Sequence, residues 1–109
     1  MWTANEAQAF CQELWPIAEK HGWHFGLTGS VLYKGESQKD LDLVFYPRTR
    51  GEAKLKDLHL ALEVAGLRQS KSALVRLDYW KRSGLKDTKH VESWTMNGKR
   101  IDVIITEAP

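Results

Sequence analysis

Gly29-Ser30, a nine-residue spacer from Val31 to Lys39, then Asp40-Leu41-Asp42-Leu43-Val44-Phe45-Tyr46: the reading of this stretch decides the fold. Along a β-strand every second side chain points to the same face. Asp40 and Asp42 therefore project together, while Leu41 and Leu43 turn the other way. Two residues of rise amount to about 6.6 Å, near enough for both carboxylates to converge on one cation or a pair of cations. A turn holding Gly29 and Ser30 presents backbone N–H groups and a hydroxyl, donors suited to phosphate oxygens. A further carboxylate, Asp102, stands within Arg100-Ile101-Asp102-Val103-Ile104-Ile105. Aspartate between apolar neighbours is disfavoured on a strand. Either Asp102 joins the first two at a metal-and-nucleotide site, or it is a rim residue paired with Arg100 or Lys99.

The elements around this stretch are legible from spacing. Thr3-Ala4-Asn5-Glu6 has the form of a capping box, and Ala7, Phe10, Cys11, Leu14 and Ala18 follow at helical intervals. An amphipathic helix is expected from 4 to about 21, stopped near Gly22, with a kink or a new segment at Pro16. Trp23 to Thr28 reads as a short strand, Val31 to Tyr33 as a helical turn, and Lys34 to Lys39 as a polar loop. Leu41 to Tyr46 is almost continuously apolar, the pattern of an interior strand covered on both faces and ended by Pro47. Leu55, Leu58, Leu62 and Ala65 mark a second helix over 52–65, with Gly66 at its C-terminal cap. Residues 70–83 carry both strand and helix signals, and the weak preference is helix. His90–Met96 and Lys99–Thr106 flank Asn97-Gly98, a strong hairpin signal that places Asp102 on the second arm. The expected fold class is α/β (α+β), a single domain over 1–109 with helices mainly on one side of a small mixed sheet.

Composition narrows the class without choosing a partner. At 109 residues, 42% hydrophobic and 28% charged, the chain is an ordinary globular sequence rather than a disordered one. A formal charge of +2 neither demands nor excludes nucleic acid. A lone cysteine, Cys11, rules out an internal disulfide framework, and its place on the apolar stripe of the first helix makes it a core residue. No apolar run approaches the ~18 residues of a membrane span, and the N-terminus lacks a basic-then-apolar signal. The expected location is cytoplasmic, in a bacterium or an infected host cell, with no membrane partner.

Gly29-Ser30, Asp40-x-Asp42 and the hairpin Asp102, in this order of elements, resemble the nucleotidyltransferase superfamily of the DNA polymerase β type. Its signature is a Gly-Ser or Gly-Gly turn, a spacer of about ten residues, an Asp-x-Asp or Asp-x-Glu on a strand, and a third Asp on a neighbouring strand. The resemblance runs from about residue 4 to 106 and has no room for the acceptor-binding domain of larger members. It implies a minimal, stand-alone version of the fold.

That resemblance implies transfer of a nucleoside monophosphate from an NTP to an acceptor, with pyrophosphate released. It implies Mg²⁺ (or Mn²⁺), with Asp40 and Asp42 on the nucleotide-associated ion and Asp102 completing a second site. Gly29, Ser30 and Lys39 would contact the nucleotide, and Lys34 and Arg48 flank the same region. The acceptor stays open among a protein side chain, an RNA end and a small molecule, so nucleic acid is not required. The alternative is a catalytically silent nucleotide-binding or partner-binding module. It would be one half of a two-component, toxin–antitoxin-like system with a helical protein partner. Carboxylates gathered at ~5 Å without a cation repel by about 3 kcal/mol per pair at an effective dielectric of 20, so such a cluster needs a counter-charge or protons. His21, His24 and His59 fit no metal spacing. His90 is a candidate for acid–base work, and Trp80-Lys81-Arg82 mixes aromatic and basic character as a nucleic-acid surface does.

Overall fold

Thr3 starts the first helix, as its spacing to Glu6 predicts. Its hydroxyl accepts from the Glu6 N–H at 3.2 Å and donates to the Glu6 carboxylate at 3.1 Å. The computed structural model describes residues 2–29, 34–37, 40–49, 53–70 and 90–105. Their order is β1 (Trp2–Thr3), α1 (Ala4–Lys20), β2 (Trp23–Thr28), β3 (Glu36–Ser37), β4 (Asp40–Pro47), α2 (Leu55–Val64), β5 (Arg68–Gln69), β6 (His90–Met96) and β7 (Lys99–Ile105). The fold is α+β: the described residues form two helices and a five-stranded mixed sheet in the order β2-β4-β7-β6-β5. Only the β4–β7 pair is parallel, and the other pairs in that sheet are antiparallel. No helix among the described residues is long and apolar enough to cross a membrane.

The core lies between the helices and one face of this sheet. Ala7, Phe10, Leu14 and Ala18 of α1 and Leu58 and Leu62 of α2 pack with Trp23, Phe25, Leu41, Leu43, Phe45, Ile101, Val103 and Ile105. Cys11 is half-buried against this cluster, and burial pushes its thiol up from the ordinary value. Glu6 ties the start of α1 to β7 through an ion pair with Lys99, and these contacts hold its carboxyl below the usual carboxylate range. The hairpin turn is as read: Asn97 (φ 51°) and Gly98 (φ 78°) are both left-handed, the requirement of a type I′ turn.

Several expectations are corrected. Pro16 neither ends α1 nor starts a new segment, because it lies on the exposed side. Gln12, four residues before it and the residue whose carbonyl a proline cannot pair with, is exposed as well. The polar stretch before Asp40 is not all loop, since β3 pairs antiparallel with β1. β4 is interior in the sheet yet is not covered on both faces. Leu41, Leu43 and Phe45 are buried, and Asp40, Asp42 and Val44 between them are only half-buried. The apolar run hides this because Val44 and Tyr46 stand on the less covered face.

The second helix starts at Leu55 rather than 52. Lys54 is extended, with no side-chain cap, and its carbonyl accepts from the Trp23 indole at 3.2 Å. At the other end Gly66 N–H bonds to the Glu63 carbonyl and Leu67 N–H to the Leu62 carbonyl, each at 3.0 Å, with Gly66 at φ +95°. This is a Schellman cap, available to glycine at no steric cost. The readings of residues 31–33 and 71–83, and of Trp80-Lys81-Arg82, lie outside the described residues.

A polar contact also joins α2 to β6. Glu92 is 2% exposed, and its carboxylate oxygens lie 2.9 and 2.8 Å from His59 Nε2, with the Trp94 indole donating at 3.0 Å. A buried carboxylate is tolerated only when it is hydrogen-bonded. His59→Ala is therefore expected to lower stability by about 1–3 kcal/mol in urea denaturation, the range for stripping a partner from a buried polar group. A loss confined to the few tenths typical of surface positions would show that the pair carries no such load.

Candidate metal and nucleotide site

Strand register builds the site. In the parallel β4–β7 pair Asp40 stands beside Arg100, Leu41 beside Ile101, and Asp42 beside Asp102. Since Leu41, Leu43, Ile101 and Val103 enter the core, the residues between them emerge on the face away from the helices. Thr28 pairs with Asp42 across β2–β4, and Ser93 pairs with Asp102 across β6–β7. A polar row, Thr28-Asp42-Asp102-Ser93, thus crosses four adjacent strands on one face. Asp40 and Arg100 form the next row.

Within this grid Asp40, Asp42 and Asp102 each offer a carboxylate oxygen, and these oxygens lie within 4.8 Å of one another. Asp102 is 5% exposed, so it is not a rim residue; Asp40 and Asp42 are half-buried. Of the two partners considered for Asp102, Arg100 is the one in place, while Lys99 is engaged with Glu6. Arg100 Nε lies 3.5 Å from Oδ1 of Asp40 and 3.5 Å from Oδ1 of Asp102. Nε itself is buried and has no hydrogen bond of acceptable geometry, so the contact is chiefly one of charge. Strand alternation carries the signal for this residue, since Arg100 stands two residues before Asp102 and must share its face.

Gly29 is held against Asp42. Its φ is +78°, and a Cβ built there would fall 2.0 Å from Asp42 Oδ2. The turn glycine thus has two reasons to be glycine, a left-handed backbone and a carboxylate where a methyl group would go. Ser30 and Lys39, the other nucleotide-contact candidates, lie outside the described residues. Lys34 is exposed. Arg48 cannot serve the site: eight residues of extended strand put it roughly 26 Å from Asp40. It lines a pocket of about 450 Å³ with Lys20, His21, Gly22, Thr49 and Ala53 at the opposite end of β4. His90 begins β6, away from the acidic row by register, opposite Ile105.

The donors gathered here are carboxylate oxygens, which suit hard divalent ions such as Mg²⁺ and Mn²⁺ rather than the nitrogen and sulfur sets of zinc sites. Asp40, Asp42 and Asp102 would hold such an ion. No protein-family model matches the chain, and no curated protein matches it in sequence.

Gly29→Ala is expected to destabilise the protein by on the order of 1–3 kcal/mol, since it combines a left-handed alanine with displacement of the Asp42 carboxylate. Gly35→Ala is the control, because Gly35 has the same φ of +78° but open space where Cβ would go. Thermal melts of both variants separate the two contributions. Equal losses would mean that Asp42 moves aside freely.

Proposed function

We propose that this chain is a minimal nucleotidyltransferase that moves a nucleoside monophosphate from an NTP to an acceptor in a Mg²⁺- or Mn²⁺-dependent reaction. The observation that carries the proposal is the convergence of Asp40, Asp42 and Asp102 from two parallel strands, with Gly29 packed on Asp42. It supports the resemblance to the DNA polymerase β-type superfamily, whose signature calls for this grouping. Divalent ions, when bound, would supply charge neutralisation at the triphosphate and acidify the acceptor hydroxyl.

The residues would divide the remaining work. Asp40 and Asp42 hold the triphosphate end of the site, and the turn at Gly29 leaves the backbone open to phosphate oxygens. Asp102, the most buried of the carboxylates, would take the acceptor's proton. The acceptor oxygen forms a bond to the α-phosphorus, and the bond from that phosphorus to the bridging oxygen of pyrophosphate breaks. Pyrophosphate leaves with the electron pair of that bond. The acceptor class remains a protein side chain, an RNA end or a small molecule.

A second reading has its own observation. The Arg100 guanidinium between Asp40 and Asp102 already supplies positive charge to the cluster. A nucleotide-binding or partner-binding module that no longer transfers nucleotide would keep such an arrangement.

Two measurements separate these readings. Incubation with labelled NTPs, Mg²⁺ or Mn²⁺ and cell extract is expected to label an acceptor with the wild type and not with Asp40→Ala. Absence of labelling, with no difference between the two proteins, would favour the silent module. Asp42→Asn is expected to abolish the rise in melting temperature caused by NTP with Mg²⁺. The same change should leave the apo protein as stable or more stable, because it removes like-charge repulsion on the order of a few kcal/mol at short range. An unfolded Asp42→Asn variant, together with a wild-type melting temperature indifferent to metal, would make Asp42 structural and end the enzyme reading.

A further inference from the structure

Ser93 sits in the acidic row without a role in anything described so far. It is 1% exposed, and its hydroxyl is a buried polar atom with no hydrogen-bond partner. Most buried hydroxyls are satisfied, and one that is not points to a water or ion that belongs beside it. The strand pattern says where that species would sit. The Ser93 carbonyl accepts from the Ser70 N–H at 2.8 Å, so the Ser93 main-chain groups face β5 rather than β7. Its antiparallel pairing with Asp102 is therefore of the non-hydrogen-bonded kind. In such pairs the Cα atoms stand about 4.5 Å apart and the side chains are at their closest. Both side chains are on the face that carries Asp40 and Asp42, so the unpartnered Oγ lies alongside the most buried carboxylate of the cluster.

We propose that Ser93 is a further member of the metal site, a positioning residue for the ion held by Asp102. Its Oγ, which has no hydrogen-bond partner in the protein, accepts from one water in the ion's shell and donates to a second. A hydroxyl can do both at once, and Mg²⁺ keeps several of its waters when carboxylates bind it. Ser93 thereby fixes the waters between the Asp102 carboxylate and the ion. Arg100, at 3.5 Å from Asp102 Oδ1, approaches the same carboxylate from the neighbouring row. The inference rests on the metal-site reading above and adds to it a residue outside the three-aspartate signature.

The test uses the full chain with Mn²⁺ alone, its free concentration followed by electron paramagnetic resonance, alongside melting of the metal-free protein. Ser93→Ala is expected to weaken Mn²⁺ binding by about tenfold, the lower end of the effect of removing a group that orients a metal ligand. The metal-free melting temperature should hold or rise, since the substitution removes an unsatisfied buried hydroxyl. Mn²⁺ binding that is lost in Asp102→Asn yet unchanged in Ser93→Ala would overturn this inference and leave the metal site standing. Weaker binding accompanied by a lower metal-free melting temperature would make Ser93 structural and overturn it as well. A wild type that binds no Mn²⁺ would overturn both.

Discussion

The in-register parallel pairing of β4 with β7 is the constraint on which the rest of the molecule depends. It sets Leu41 beside Ile101 and Leu43 beside Val103 on one face, and Asp42 beside Asp102 on the other. Because side chains alternate with a period of two, a slip by one residue would send carboxylates into the core and leucines to the opposite face. The same register that satisfies the hydrophobic core therefore assembles the acidic cluster. Stability and site are specified by a single choice, and β2 and β6 extend the row on either side.

Electrostatics makes this arrangement demanding. Carboxylate oxygens within 4.8 Å of one another need positive charge nearby, and Arg100 supplies some of it from the adjacent row. A guanidinium is a large, fixed cation. A divalent ion is smaller, carries twice the charge and brings its own water. Under the proposed function the two would compete for the same carboxylates. On the helix side of the sheet, Glu92 shows the contrasting case of a buried carboxylate tied to His59 and Trp94 within the protein.

The local features were legible because they depend on near neighbours in the chain. Thr3 and Glu6 announce a helix start through a side-chain cap, and Asn97-Gly98 a hairpin and Gly66 a helix end through left-handed backbone that few residues adopt. The β3 strand was missed because a two-residue pairing with Trp2–Thr3 leaves no periodic trace. The single covered face of β4 was misread for a related reason. Val44 and Tyr46 are apolar enough to look buried, and hydropathy does not report which face a neighbour covers.

By itself, then, the sequence determined the two helices, the longer strands β2, β4, β6 and β7, the hairpin, and the shared direction of Asp40 and Asp42, all of which follow from periodicity and turn chemistry. Only the tertiary structure decided that Asp102 lies beside Asp42, that Arg100 rather than Lys99 meets it, and that Ser93 and Thr28 complete the row. Those relations join residues from strands far apart in the chain. They are set by which register buries Leu41, Leu43, Ile101 and Val103 together, a choice made by packing against the helices and invisible to any local pattern.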